Sequence, residues 1–163
     1  MHTIHHTDLT VLLETLQPTS LLLVDPNPDA LPSKWLGSHP DCQVKRLQRD
    51  ILHQLENLGR FDLGIVANTL EYMDAREAGM VLARLRDLNT RRFVALVPVG
   101  EDWPAHPTHW QTSDLLGYGM TMLARYQDEG KPLTLFHYNI HTYKTTPDWF
   151  NARNWANPEN WDS

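Results

Sequence analysis

The stretch Phe61–Pro98 narrows the choice of fold more than any other part of the chain. A short strand-like run, Asp62 to Ala67, free of polar side chains after Asp62, precedes a helical pattern, and a second run, Arg92 to Pro98, apolar after Arg92, follows it. Strands this short that are apolar at consecutive positions fit a sheet covered on both faces, the usual situation of parallel strands. Parallel neighbours need a crossover, and the intervening segment supplies one. From about Asp74, a suitable N-cap, to Leu88, the residues Ala78, Val81, Leu82 and Leu85 recur at helical spacing. Arg76, Glu77, Arg84, Arg86 and Asp87 take the other positions. The unit is strand, helix, strand, which places the chain in the α/β class.

The flanking segments extend the pattern. Leu21 to Val24 is another short apolar run, closed by Asp25-Pro26-Asn27-Pro28, and reads as a buried parallel strand ending in a turn. Ahead of it, Thr7 or Asp8 can cap a helix with Leu9, Leu12, Leu13 and Leu16 on its apolar face, stopped by Pro18. Gln43 to Leu47 is extended and leads to Asp50; Ile51 to Leu58 is a short helix or turn ended by Gly59. After Pro98 the pattern changes. Val99 to Gln111 is a loop rich in Pro, His and Trp, and Ser113 caps a short helix through Leu116, broken by Gly117 and Gly119. Met120 to Tyr126 and Leu133 to His141 suit strands joined by the turn Asp128-Glu129-Gly130-Lys131, a hairpin at the end of the sheet.

A length of 163 residues suits one domain, here residues 1–143, and 41% hydrophobic residues can fill its core. The tail, residues 144–163, carries Trp149, Trp155 and Trp161, and such bulky side chains are expected to pack on the domain or on a partner. A formal net charge of -6, with no basic cluster longer than Arg91-Arg92, argues against nucleic acid. No apolar run approaches the ~20 residues needed to cross a bilayer, so no membrane association is expected. Residues 1–10 lack a signal-peptide pattern, and a cytoplasmic location is the expectation. A single cysteine, Cys42, cannot form an internal disulfide or a Cys-based zinc cluster.

Nine histidines raise the question of a metal. His2, His5 and His6 cluster at the terminus, His106 and His109 flank Pro107, and His137 and His141 share a strand face without being adjacent. None of this is a ligand set, and no metal is expected. Neither a Gly-x-Ser-x-Gly elbow nor a Walker loop occurs.

The run Phe61-Asp62-Leu63-Gly64-Ile65-Val66-Ala67-Asn68-Thr69-Leu70-Glu71-Tyr72-Met73 resembles the fourth strand and following loop of class I S-adenosylmethionine methyltransferases, with Tyr72 where a His is common. The helix to Leu88, the strand to Pro98 and the terminal hairpin are similar to that family's later elements. The resemblance implies a Rossmann-like, mostly parallel sheet flanked by helices, with an antiparallel C-terminal hairpin. The tail Tyr143 to Trp149 resembles an uncharacterised bacterial family of short methyltransferase-like proteins.

The resemblance also implies site residues. Asp25 would hold the ribose hydroxyls, Asp50 would accept from the adenine amino group with Ile51 as an apolar contact, and Asn68 would face the cofactor. Thr69 and Glu71 would face the methyl acceptor. Each has a plainer role available: an Asx turn at Asp25, an N-cap at Asp50 and an ordinary polar strand-to-helix loop at 68–71. The family's Gly-x-Gly loop is missing. Leu21–Asp25 is either the first strand, with Pro26-Asn27-Pro28 in place of the glycines, or the second strand, with Asp25 as its acid. Prolines remove backbone donors and stiffen the turn. The resulting expectation is a methyltransferase-like pseudoenzyme or scaffold protein that lacks tight cofactor binding and works with a protein partner or as a homodimer. The alternative is an active enzyme using S-adenosylmethionine.

Overall fold

The computed structural model describes residues 6–27, 33–101, 103, 105–128 and 130–139. Helix α1 (His6–Leu16) leads to strand β1 (Ser20–Val24), helix α2 (Ser33–Ser38), strand β2 (Gln43–Leu47) and helix α3 (Ile51–Leu55). Strand β3 (Leu63–Val66) is followed by a 3-10 turn (Leu70–Tyr72), helix α4 (Ala75–Arg84) and a π-helical turn (Leu85–Asn89). Strand β4 (Arg92–Pro98), helix α5 (Thr112–Gly117) and the hairpin β5 (Thr121–Asp128) and β6 (Lys131–Asn139) complete it.

The six strands form one sheet in the order β2-β1-β3-β4-β6-β5. β2, β1, β3 and β4 run parallel, whereas β6 is antiparallel to both β4 and β5. The expected Rossmann-like sheet with an antiparallel terminal hairpin is the observed one. Gly130, with φ +80°, turns the hairpin.

Consecutive apolar residues are necessary because both faces are covered. Leu21 and Leu23 point into a layer with Leu9, Leu12 and Leu13 of α1, while Leu22 and Val24 pack with Ala78, Val81 and Leu82 of α4. The α4 stripe is buried as its spacing predicts, and Asp74 caps the helix by accepting from the Glu77 N–H at 2.8 Å. The end of α4 is tied to α3. The Asn89 side-chain amide faces the carbonyls of Leu55, Leu58 and Gly59, each at 3.1 Å.

Some local expectations change. Asp8 lies inside α1 and is no cap: it is buried and accepts a 2.6 Å hydrogen bond from the Tyr126 hydroxyl on β5. The α5 helix opens at Gln111, whose N–H donates to Asp114, rather than at Ser113. Asp50 makes no side-chain cap to α3. Helix α2 had no sequence pattern to announce it. The tryptophans of segment 144–163, together with His2, His5 and His141, lie outside the described residues. Among the described residues, no helix is long and apolar enough to cross a membrane.

Candidate functional site

Sheets wound in both directions from a central strand bind ligands at the carboxyl ends of the strands, where the winding reverses. Here the chain runs from β1 outward to β2, then returns to lay β3 on the other side of β1. The reversal therefore falls between β1 and β3. Leu21–Val24 is thus the strand beside which the winding reverses, an order shared by a family-like first strand and by a second strand whose first-strand neighbour is lost. Asp25 follows β1 at this mouth, and Asn68 to Glu71 follow β3.

The structure brings Asp25, Asn68, Thr69 and Glu71 together, all buried. Asp25 Oδ1 accepts from the Asn27 N–H at 2.8 Å, an Asx turn, and from the Asn68 side-chain amide at 3.2 Å. Burial raises the Asp25 pKa, and these two bonds offset part of the rise. Asn68 sits at φ +53°, a left-handed conformation that asparagine tolerates better than most residues. The Thr69 hydroxyl turns back to the sheet, 2.8 Å from the Ala67 carbonyl and 3.3 Å from that of Val24.

Glu71 is the outlier. It is 0% exposed, and neither carboxylate oxygen has a hydrogen-bond partner among the described residues. Desolvation pushes its pKa from 4.5 up to about 7, with a smaller contribution from the negative charge of Asp25. The amides of Glu71 itself and of Thr69 lie near enough to offset part of this rise, yet neither meets hydrogen-bond geometry. A buried carboxyl without partners is costly, and such groups concentrate at functional sites.

The turn carrying Glu71 is held from the loop before α5. The Trp110 indole N–H donates to the Leu70 carbonyl at 3.1 Å, the Thr108 N–H to the Glu71 carbonyl at 3.4 Å, and the Thr108 hydroxyl to the Met73 carbonyl. In the sequence, residues 99–111 read only as a loop; the available clue is Trp110 in a polar segment, a ring that needs somewhere to be buried. Tyr72 stands at the rim, 54% exposed and edge-on to His106.

Asp50 and Ile51 part company. Ile51 is buried in the helix layer, while the Asp50 carboxylate is exposed and its backbone left-handed at φ +49°. Asp50 is not hydrogen-bonded to the Asp25–Asn68 pair. Among the described residues, no group of three or more His, Cys, Asp or Glu is placed to hold a metal ion. Buried His137 is held neutral, its pKa depressed to about 3 by desolvation and by the charge of Arg92.

A family model, the Family of unknown function (DUF6231), matches residues 3–163. The chain belongs to this family. DUF6231 thus spans nearly the whole chain, tail included. No curated protein matches the sequence. Among solved structures, the DUF6231 chain is similar to the N-methyltransferase NodS from Bradyrhizobium japonicum WM9, solved with S-adenosyl-L-homocysteine, at a TM-score of 0.59 and 17% identity. That likeness covers 81% of this chain and 83% of NodS. It is also similar to WbdD, at a TM-score of 0.57 and 15% identity over 82% of this chain. An O-methyltransferase family protein from Burkholderia thailandensis matches at 0.50 and 14% over the same share. The chain spans 55% of the Burkholderia protein and 34% of WbdD. The DUF6231 chain therefore has the class I methyltransferase-like fold.

Proposed function

We propose that the chain is a methyltransferase-like protein that does not bind S-adenosylmethionine tightly and acts as a binding or scaffold protein. The observation that carries this reading is the turn after β1. A glycine loop at this position would offer backbone N–H groups to the cofactor at close range. Pro26 and Pro28 have no N–H, and the Asn27 N–H is taken by Asp25. Asp25 is in turn bridged to Asn68 across the mouth of the crevice, with both residues buried. The residues present therefore do not fit the cofactor that the fold implies.

Losing two or three hydrogen bonds at ~1 kcal/mol each weakens binding by roughly one to two orders of magnitude. Calorimetry with S-adenosylmethionine and with its demethylated product is expected to give no tight binding to the folded full chain. Low-micromolar, saturable binding that weakens on Asp50→Ala would overturn the proposal.

A second reading, an active methyltransferase using S-adenosylmethionine through an atypical loop, is favoured by one observation. Glu71 is a carboxyl at the mouth with both oxygens unpartnered, which a bound donor group would satisfy. On this reading Asp25, Asp50, Ile51 and Asn68 hold the cofactor, and Thr69 and Glu71 face the acceptor. The same titration separates the two readings.

A further inference from the structure

Among the described residues, a partly open cavity lies at the opposite end of the sheet, where the parallel strands begin. It encloses about 170 Å³ between Leu16 and Pro18 after α1, Asp62 and Leu63 at β3, Arg91 and Arg92 at β4, and Asn139 at the end of β6. Its charge is unusual for this chain. Two guanidinium groups face one carboxylate, in a protein whose formal net charge is -6.

The single acid is already engaged. Asp62 Oδ2 accepts from the Thr19 N–H at 2.9 Å and from the Thr19 hydroxyl at 2.6 Å. Its other oxygen lies 3.7 Å from Arg91 Nε, a loose contact between exposed groups. Arg92 is different. It is half-buried, with its pKa lowered by desolvation, and it has no hydrogen bond and no carboxylate within 4.0 Å among the described residues. Nearby carbonyls do not occupy it either: those of Asp87 and Thr90 are served by Arg60. A desolvated guanidinium with an unfilled planar fork is the group that recognises carboxylate and phosphate oxygens bidentately.

We propose that this cavity binds a small organic oxyanion, a carboxylate or a phosphate monoester, with its charged head on Arg92 and Arg91. The volume is below that of ordinary drug-sized sites, so the ligand is a head group with a short apolar stem. Leu16, Pro18 and Leu63 supply the wall for that stem. The site lies across the sheet from the Asp25–Glu71 crevice, so its fate is independent of the cofactor question.

The test titrates the full chain with inorganic phosphate and, separately, with butyrate at fixed low ionic strength, read by calorimetry. Saturable binding of at least one probe is expected, at a Kd of about 1 mM or tighter. The stronger probe identifies the head group. Arg92→Gln should weaken it at least tenfold, and Arg91→Gln on the rim by less. Arg91→Gln also serves if the Arg92 variant fails to fold. Arg76→Gln, a surface arginine on α4, should leave binding unchanged. Absence of saturable binding for both probes would overturn the proposal, as would equal weakening by Arg76→Gln.

Discussion

Replacing Glu71 with glutamine should stabilise the protein increasingly as the pH rises from about 4.5, with the full effect above about 7. The carboxyl is wholly buried, its oxygens lack partners, and its pKa rises from 4.5 in the open chain to about 7 in the fold. Near pH 4 it is protonated in both states, and folding carries no charge penalty. Between 4.5 and about 7 the unfolded chain releases the proton while the native state keeps it, so stability falls as pH rises. Above about 7 both states are ionised, and the full penalty of burying the charge is present. A shift of this size corresponds to about 3 kcal/mol at 1.36 kcal/mol per unit. Glu71→Gln removes that penalty. Urea denaturation of both proteins at pH 4 and pH 8 should give a difference in unfolding free energy that grows by about 3 kcal/mol between the two conditions. By melting, this is roughly 6–12 °C for a chain of this length. A constant offset from the new amide cancels in the comparison. A pH-dependent part below about 1 kcal/mol would refute the reasoning, because it would mean that the carboxyl is hydrated or paired.

Two further substitutions probe the frame around the site. In Gly64→Ala the new Cβ would lie 2.8 Å from Thr90 Cγ2 and 3.1 Å from Phe93 Cβ, and Thr90 is fixed by its 2.6 Å bond to the Leu85 carbonyl. A loss of about 1–3 kcal/mol is expected by thermal melting, with part of it recovered in Gly64→Ala/Thr90→Ser, which drops the clashing methyl and keeps the hydroxyl. Asn89→Ala strips the amide from three carbonyls at the α3–α4 junction and should lower urea-measured stability by about 2–3 kcal/mol; an unchanged midpoint would show that water replaces it without loss.

What could be read from the sequence was local. The β3–α4–β4 unit announced itself because burial on both faces imposes consecutive apolar strands, a helix imposes its own spacing, and Asp74 caps through a residue three positions on. The Asx turn at Asp25 was legible for the same reason, since its acceptor and donor are two residues apart. Helix α2, six residues long, is too short for a periodic pattern. Asp8 looked like a cap because its partner, Tyr126, is 118 residues away. The same distance problem hid the chemistry. Asn68 and Glu71 could be assigned to the mouth, but the bridge to Asp25 and the burial that raises the Glu71 pKa exist only once β1 and β3 are neighbours. The Arg92 cavity is assembled from the end of α1, the starts of β3 and β4 and the end of β6, which only the folded sheet brings together. Arg91-Arg92 stands in the sequence only as a basic pair, no longer than Lys45-Arg46, in an acidic chain. Which of two adjacent arginines is desolvated depends on strand pleating: β4 pairs Arg92 with Asn139 of β6, while Arg91, one position outside the strand, remains largely in solvent.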